Sequence, residues 1–337
     1  MAQLVRGVVG SAAGGPCWVE EILVPDPGPG EVVVRVLACG ICRMDLQPPD
    51  LGSGHPILLG HEAAGVVESV GPDVDATEPG DVVVLGRSGE VPPRTRSMLL
   101  DGRTLTPALG VGAFAEKVLV HVGQCRVLEP AAGPRIAALL DDGVPGATGR
   151  SLGTAGQVGG PGLVAERYRA AGATRTVPAA AVVAVDVDPL KLGWARQLGA
   201  THVINARERD PDRAIMEITD GFGADLIVNA VGCPEIWEQP FLVADPSHTL
   251  VLVGAPEAGL IECGDGASLP SLSSPSSLPV LDLGLLLDML LAGELPTQRF
   301  VAGAAGPDAV AEAFTRMQKG ELPRPVVAMS STLEPLT

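Results

Sequence analysis

Short apolar runs and turn-rich breaks alternate along the first third of the chain. Glu31–Ala38 (EVVVRVLA) is rich in β-branched residues and follows PDPGPG, so it predicts a strand entered from a turn. Ala63–Val70 (AAGVVESV), Asp81–Leu85 (DVVVL) and Gly112–Val122 (GAFAEKVLVHV) predict three more. Gly71-Pro72 and Pro79-Gly80 punctuate the interval between the first two of these. Strands this short and this closely spaced predict a barrel-like β domain.

The pattern changes after about residue 135. Leu163–Ala171 (LVAERYRAA) reads as a helix stopped by Gly172. Ala181–Asp186 (AVVAVD) is a continuous apolar run, the mark of a strand buried on both faces. Pro189–Leu198 opens with proline at a helix start and stops at Gly199. THVINA (201–206), a helix through Asp212–Thr219, DLIVNAVG (225–232) and TLVLVGAP (249–256) follow in turn. This βαβ order predicts a parallel sheet with helices on both faces. SLGTAG (151–156) is poor in side chains that could pack in a sheet. The Ser/Pro-rich stretch 264–281 reads as a linker or surface crossing. An apolar helix (Asp282–Leu291), a second helix (Pro307–Lys319) and a closing strand, PVVAM, complete the pattern. The fold class is α/β. A β-barrel domain covers 1–145, a Rossmann-type doubly wound parallel sheet 146–272, and a C-terminal segment 273–337. No internal repeat is visible.

Composition narrows the partners. The chain has 337 residues, 46% hydrophobic and 19% charged, enough for sizeable cores and too apolar for wholesale disorder. A formal charge of −17 argues against nucleic acid or an anionic membrane as the main partner. No apolar stretch reaches about 18 uninterrupted residues, and the N-terminus lacks a long apolar signal region. Six scattered cysteines do not form a disulfide framework. The expectation is a cytoplasmic protein without a membrane span.

The densest candidate chemistry lies in ACGICRMD (38–45) and GHE (60–62). Cys42 and His61 are ligand types suited to zinc. Cys39 and Cys42 form a C-x-x-C, but no second pair exists, which excludes a four-cysteine zinc finger. A thioredoxin-type motif is disfavoured because Cys39 ends a strand rather than opening a helix. Taken alone, these residues fit either a metal or catalytic site or a pair of buried structural side chains.

The text PDPGPGEVVVRVLACGICRMDL, followed by HPILLGHEAAGVVESVGPDVDATEPGDVVVL, resembles the GroES-like catalytic domain of the zinc-dependent medium-chain dehydrogenase/reductase superfamily, the alcohol dehydrogenase kind. GVGAFAEKVLVH, VVAVDVDPLKLGWARQLGATHVINA and AVAEAFTRMQKGELPRPVVAM are similar to its later segments, so the likeness covers most of the chain.

The resemblance implies that Cys42 and His61 are two ligands of one catalytic zinc and that Glu62 is its acidic neighbour. Asp142, in LLDDGVP, stands where the third ligand is usually cysteine, with Asp141 as the alternative register. No cysteine lies between Cys42 and Cys125, so no structural zinc is implied. The stretch that replaces its lobe, GRSGEVPPRTRSMLLDGRTLTPALG, reads as a flexible loop. Cys17, Cys125, Cys233 and Cys263 read as core or incidental thiols.

For the cofactor, the resemblance implies NAD. Asp186 would hydrogen-bond the adenosine ribose, Lys191 would contact the same sugar, and Arg43 and Arg324 would hold the diphosphate. The glycine loop keeps Gly159, Gly160 and Gly162 but has Gln157 at its first glycine position. The C-terminal segment would return to the catalytic domain, and the chain would form a homo-oligomer.

The implied reaction is hydride transfer between a small alcohol, with its aldehyde or ketone, and a nicotinamide. Met44 replaces the usual proton-relaying Ser or Thr, and Gln47 the usual relay His. These departures keep two alternatives open. One is a non-redox zinc Lewis-acid enzyme catalysing elimination, cyclisation or hydration. The other is an inactive binding subunit.

Overall fold

The computed structural model describes residues 2–11, 17–41, 45, 54–86, 96–128, 163–167, 181–197, 200–229, 244–252, 271–273, 301–318 and 326–329. The chain divides into two units. One contains Met1–Asp142 and Leu286–Thr337, the other Gly143–Leu285.

The first unit begins with β1 (Gln3–Gly10) and β2 (Trp18–Val24), an antiparallel pair that the pattern reading does not pick out. Gly7 and Gly10 interrupt the apolar alternation of β1. Gly7 is needed there, because a Cβ would come within 3.0 Å of both Ile22 and Leu58. β3 (Glu31–Gly40), β4 (Ile57–Leu58), β5 (Glu62–Val70), β6 (Val82–Leu85), β7 (Met98–Leu99), β8 (Thr106–Pro107), β9 (Lys117–His121) and β10 (Cys125–Val127) follow. The last expected strand of the barrel is shorter than its pattern. Gly112 takes a positive φ of +68°, and pairing in β9 begins at Lys117.

These strands form two largely antiparallel sheets. One has the order β7-β2-β1-β4-β8. β3 lies inside the other, paired with both β5 and β9, which is why EVVV is fully buried. The expected loop over 86–110 is corrected in its second half. Met98 and Leu99 pair with Leu23 and Ile22 of β2, and Thr106 and Pro107 pair with β4.

Three elements near the C-terminus complete this unit: β17 (Val301–Ala305), α3 (Asp308–Gln318) and β18 (Val326–Ala328). β18 pairs antiparallel with β3, setting Val326, Val327 and Ala328 opposite Gly40, Cys39 and Ala38. Phe314 of α3 meets Phe114 edge-on, with ring centroids 5.9 Å apart, a geometry worth about 1 kcal/mol beyond area burial. The surrounding core is almost entirely aliphatic: Val8, Val34, Val36, Ile57 and Val327 are typical members. Cys17 and Cys125 pack against its edge, half-buried.

The second unit contains β11 (Leu163–Arg167), β12 (Ala181–Asp186), α1 (Pro189–Gln197), β13 (His202–Asn205), α2 (Pro211–Ile218), β14 (Ala224–Asn229), β15 (Ala244–Leu252) and β16 (Ser271–Ser273). The strand order is β13-β12-β11-β14-β15-β16. α2 starts as its sequence directs, with Asp210 accepting from the N–H groups of Asp212 and Arg213 and Pro211 opening the helix. Its Ala214 and Ile215 pack with Val183, Val185, Ile204 and Ile227.

Three expectations are corrected in this sheet. Leu163–Arg167 is a strand, not the start of a helix. A short apolar run does not fix its own period, and the slot between β12 and β14 demands a segment that offers backbone hydrogen bonds on both sides. β11 also runs antiparallel to both neighbours, so the sheet is mixed: β12/β13 and β14/β15/β16 are parallel sets joined through a reversed centre. Within the Ser/Pro-rich stretch 264–281, Ser271–Ser273 forms the edge strand β16 rather than linker. SLGTAG and the helix expected over Asp282–Leu291 lie outside the described residues.

Candidate active site

β3 and β5 build the site between them. Their register sets Cys39 opposite Ala63 and Gly40 opposite Glu62, so the end of one strand meets the start of the other. The GHE turn is held from above by the chain at 113–114. The N–H of Ala113 donates to the Gly60 carbonyl at 2.9 Å, and that of Phe114 to the Leu59 carbonyl at 2.8 Å. Only glycine fits at position 60. Its φ is +90°, and a Cβ would lie 2.5 Å from the Phe114 nitrogen. The turn aims His61 into the interior.

His61 is completely buried and stands between two carboxylates. Its Nδ1 lies 2.9 Å from Oδ1 of Asp45 and its Nε2 lies 3.1 Å from Oε1 of Glu62. All three side chains are sealed from solvent. Burying two carboxylates beside an imidazole in an aliphatic core costs several kcal/mol unless a ligand or a partner offsets it, and such clusters mark functional sites. Both ring nitrogens of His61 thus face a carboxylate oxygen, which fixes the orientation of the imidazole.

Cys39 is also fully buried. Burial first, and the nearby Asp45 charge second, push its thiol well above the ordinary range, so it stays protonated. Its Sγ–H points to the Gly40 carbonyl at 3.7 Å. It behaves as a small apolar residue.

Of the site residues expected from sequence, the structure brings His61 and Glu62 together. It adds Asp45, which the sequence reading quoted within ACGICRMD without giving it a role. Its signal was a carboxylate three residues after Cys42, in the one segment rich in candidate ligands. Cys42, Arg43, Met44, Gln47, Asp141, Asp142, Gly159, Gly160, Gly162 and Arg324 lie outside the described residues. Among the described residues, no three of His, Cys, Asp and Glu form a shell that could hold a metal.

A second cluster sits at the end of β12, in the other unit. Asp186 closes the strand, and its Oδ1 accepts from the N–H of Asp188 at 2.8 Å. Asp188 in turn accepts from the N–H of Leu190 at 2.9 Å and caps the start of α1. Lys191 brings its Nζ to 3.8 Å from Oδ2 of Asp186. The structure therefore places Asp186 and Lys191 side by side.

Comparison with known proteins agrees with the resemblance. The alcohol dehydrogenase GroES-like domain family matches residues 28–130, and the zinc-binding dehydrogenase family matches residues 170–272. The chain is 25% identical to alcohol dehydrogenase class-P of Arabidopsis thaliana, over 98% of its own length and 99% of the relative's. It is 28% identical to alcohol dehydrogenase class-3 of Myxine glutinosa, over 93% and 95%. Among solved structures, an alcohol dehydrogenase zinc-binding domain protein from Burkholderia ambifaria superposes with a TM-score of 0.79 at 26% identity, covering 98% of this chain and all of that one. Benzyl alcohol dehydrogenase from Acinetobacter calcoaceticus shares the fold, with a TM-score of 0.76 at 23% identity, covering 97% of this chain and 100% of that chain.

Proposed function

The chain belongs to the zinc-dependent medium-chain dehydrogenase/reductase superfamily, and from that premise we propose that it is a zinc-dependent, NAD-linked oxidoreductase of a small alcohol and its aldehyde or ketone. The class is that of its relatives, enzymes of the alcohol dehydrogenase kind. The observation that carries the finer reading is the buried row Asp45–His61–Glu62 at the junction of β3 and β5.

The donor chemistry at that junction fits zinc. His61 would be one ligand, and Cys42, which follows two residues after Gly40, the partner of Glu62, would be another. Asp142 supplies the third ligand in this reading. Zinc held there supplies a Lewis acid that lowers the pKa of an alcohol and polarises a carbonyl. Asp45 acts as a positioning residue: it holds the ring of His61 and raises its basicity. Glu62 places a carboxylate next to the ligand. The alcohol proton leaves without a side-chain hydroxyl at position 44, where Met44 can neither donate nor accept usefully.

The nicotinamide cofactor fits in part. Asp186 presents acceptors suited to a ribose diol, with Lys191 beside it. β11 runs antiparallel to β12 and β14, against the strand direction that leads into a diphosphate-holding turn in open α/β sheets. The same reversal favours a second reading, in which the zinc site runs a non-redox elimination, cyclisation or hydration. A homo-oligomer in the cytoplasm, with Arg43 and Arg324 reaching the cofactor, belongs to the first proposal. Among the described residues no helix is long and apolar enough to cross a membrane.

The test is metal analysis followed by an alcohol and aldehyde screen read as NADH absorbance. About one zinc per chain, lost in His61→Ala, with alcohol-dependent NADH formation, is the expected result. Zinc without turnover or NAD binding would transfer the assignment to the non-redox reading. A protein purified in zinc that holds none would sink both.

A further inference from the structure

One buried hydroxyl in the first unit is left over by the fold. Thr106, on β8, is 8% exposed, and its Oγ1 makes no hydrogen bond among the described residues. Thr77, Gln124 and Thr219 are buried at least as deeply, and each is paired. Thr77 donates to Asp81, Gln124 to the Gly110 carbonyl and Thr219 to the Ile215 carbonyl. A hydroxyl left unpaired in an apolar setting costs stability, and such a group in a native protein points to a role outside the fold.

The sheet sets the direction of that hydroxyl. Gly10, Ile57 and Thr106 lie in one row across β1, β4 and β8, so Thr106 shares a face with Ile57. Ile57 belongs to the core that also contains Cys39, Ile41, Leu59, Ala63 and Phe114, the residues that flank the GHE turn and the end of β3. Leu58 and Leu105, the sequence neighbours of Ile57 and Thr106, belong to the opposite core. Gly10 contributes no side chain to the row, and His61 follows Ile57 by four residues, at most ~13 Å of extended chain. From Thr106 the chain runs through Ala108–Gly110 to the clamp at 113–114. Leu109 holds a φ of 50° in that turn, a left-handed backbone that leucine rarely adopts, and such strain clusters in segments that hold ligands.

We propose that Thr106 is a specificity-determining residue whose hydroxyl takes a second oxygen of the substrate. The protein then acts on alcohols that carry a further hydroxyl, carbonyl or ether oxygen, in preference to simple alkanols. A threonine hydroxyl both donates and accepts, so each of those groups can satisfy it. The inference rests on the metal site of the reading above, which takes the first oxygen, and is independent of the hydride step.

The experiment uses the full-length, zinc-loaded protein and the straight-chain terminal diols from butanediol to decanediol, each against the mono-alcohol of the same length. Binding is read as the ligand-induced shift in melting temperature, and turnover as NADH absorbance. One diol length is expected to bind about tenfold more tightly than its mono-alcohol, the scale of one hydrogen bond to a group otherwise left unpaired. Thr106→Val should abolish that preference, Thr106→Ser should keep it, and neither should change the response to mono-alcohols. Without ligand, Thr106→Val should melt no lower than the wild type, because a methyl replaces a hydroxyl that has no partner. Diols and mono-alcohols that behave alike at every length would overturn the proposal and leave the alcohol dehydrogenase reading standing. No response to either would overturn both. A ligand-free Thr106→Val that melts lower would also overturn the proposal, since the hydroxyl would then already be paired, for example with bound water only. Diols that bind preferentially without being oxidised would uphold it and overturn the hydride step. The wild-type series decides the matter even if the variants fail to fold.

Discussion

The junction of β3 with β5 and the carboxyl edge of β12 both carry residues that the resemblance assigns a role, yet they differ in how they are built. At the first, every level agrees. Gly60 makes the turn, the backbone at 113–114 clamps it, and His61 lands between Asp45 and Glu62. At the second, Asp186 and Lys191 are in place while the strand beside them is reversed. The difference teaches that a side chain at a strand end can persist where the connection that would give it its partner chemistry has changed.

The largest effect expected is all-or-none and tests the direction of β11. Arg167→Cys with Ala181→Cys should cross-link through a short thiol reagent, read by peptide mapping, because these residues are direct register partners. A parallel β11 would separate them by roughly 13 Å and leave them unlinked, and the contrast between the two regions would vanish. Next in size is Asp45→Asn. It should lower zinc affinity by about 10- to 100-fold, the usual cost of losing a carboxylate behind a metal-bound histidine. Competition with a chromophoric chelator would measure it. Unchanged affinity would mean that Asp45 serves the fold and not the ligand.

The smallest effect is on pH. Burial pushes the Cys125 thiol up to about 12, above its unfolded value of about 8.5. Between those limits the folded state holds the proton and the unfolded state releases it. The stability from this thiol is therefore complete below about pH 8.5 and is lost as pH rises toward 12, at up to ~1.4 kcal/mol per pH unit. Cys125→Ser should flatten the alkaline limb of a urea-melting series. An unaltered slope would show that the alkaline loss arises elsewhere.

Much of the first unit was legible because its chemistry is local. EVVVRVLA, GHE and the Pro79-Gly80 turn each carry their own instruction in a few residues. β1 and β2 escaped because glycines at 7 and 10 dilute the alternation, and their need appears only when Ile22 and Leu58 close around Gly7. β11 was misread because LVAER contains no signal for direction. A strand's polarity is decided by the connections at its two ends and by the neighbours that need hydrogen bonds, which are tertiary facts. Asp45 was visible as a residue but not as a partner of His61, since a sixteen-residue separation hides a 2.9 Å contact. His61 was legible as a ligand type within GHE, and Glu62 from the resemblance of that turn to the superfamily's.

β18 lies against the stretch of β3 that leads into Cys42, pairing at Ala38, Cys39 and Gly40. On the ribosome, β3 is among the first strands to emerge and β18 among the last. During synthesis the ligand-bearing end of β3 therefore waits with one hydrogen-bonding edge open, while the entire second unit is made. A nascent chain stalled before Val326 exposes an unpaired apolar edge, which is a template for pairing with another chain. Synthesis of β18 is then the event that closes this edge of β3.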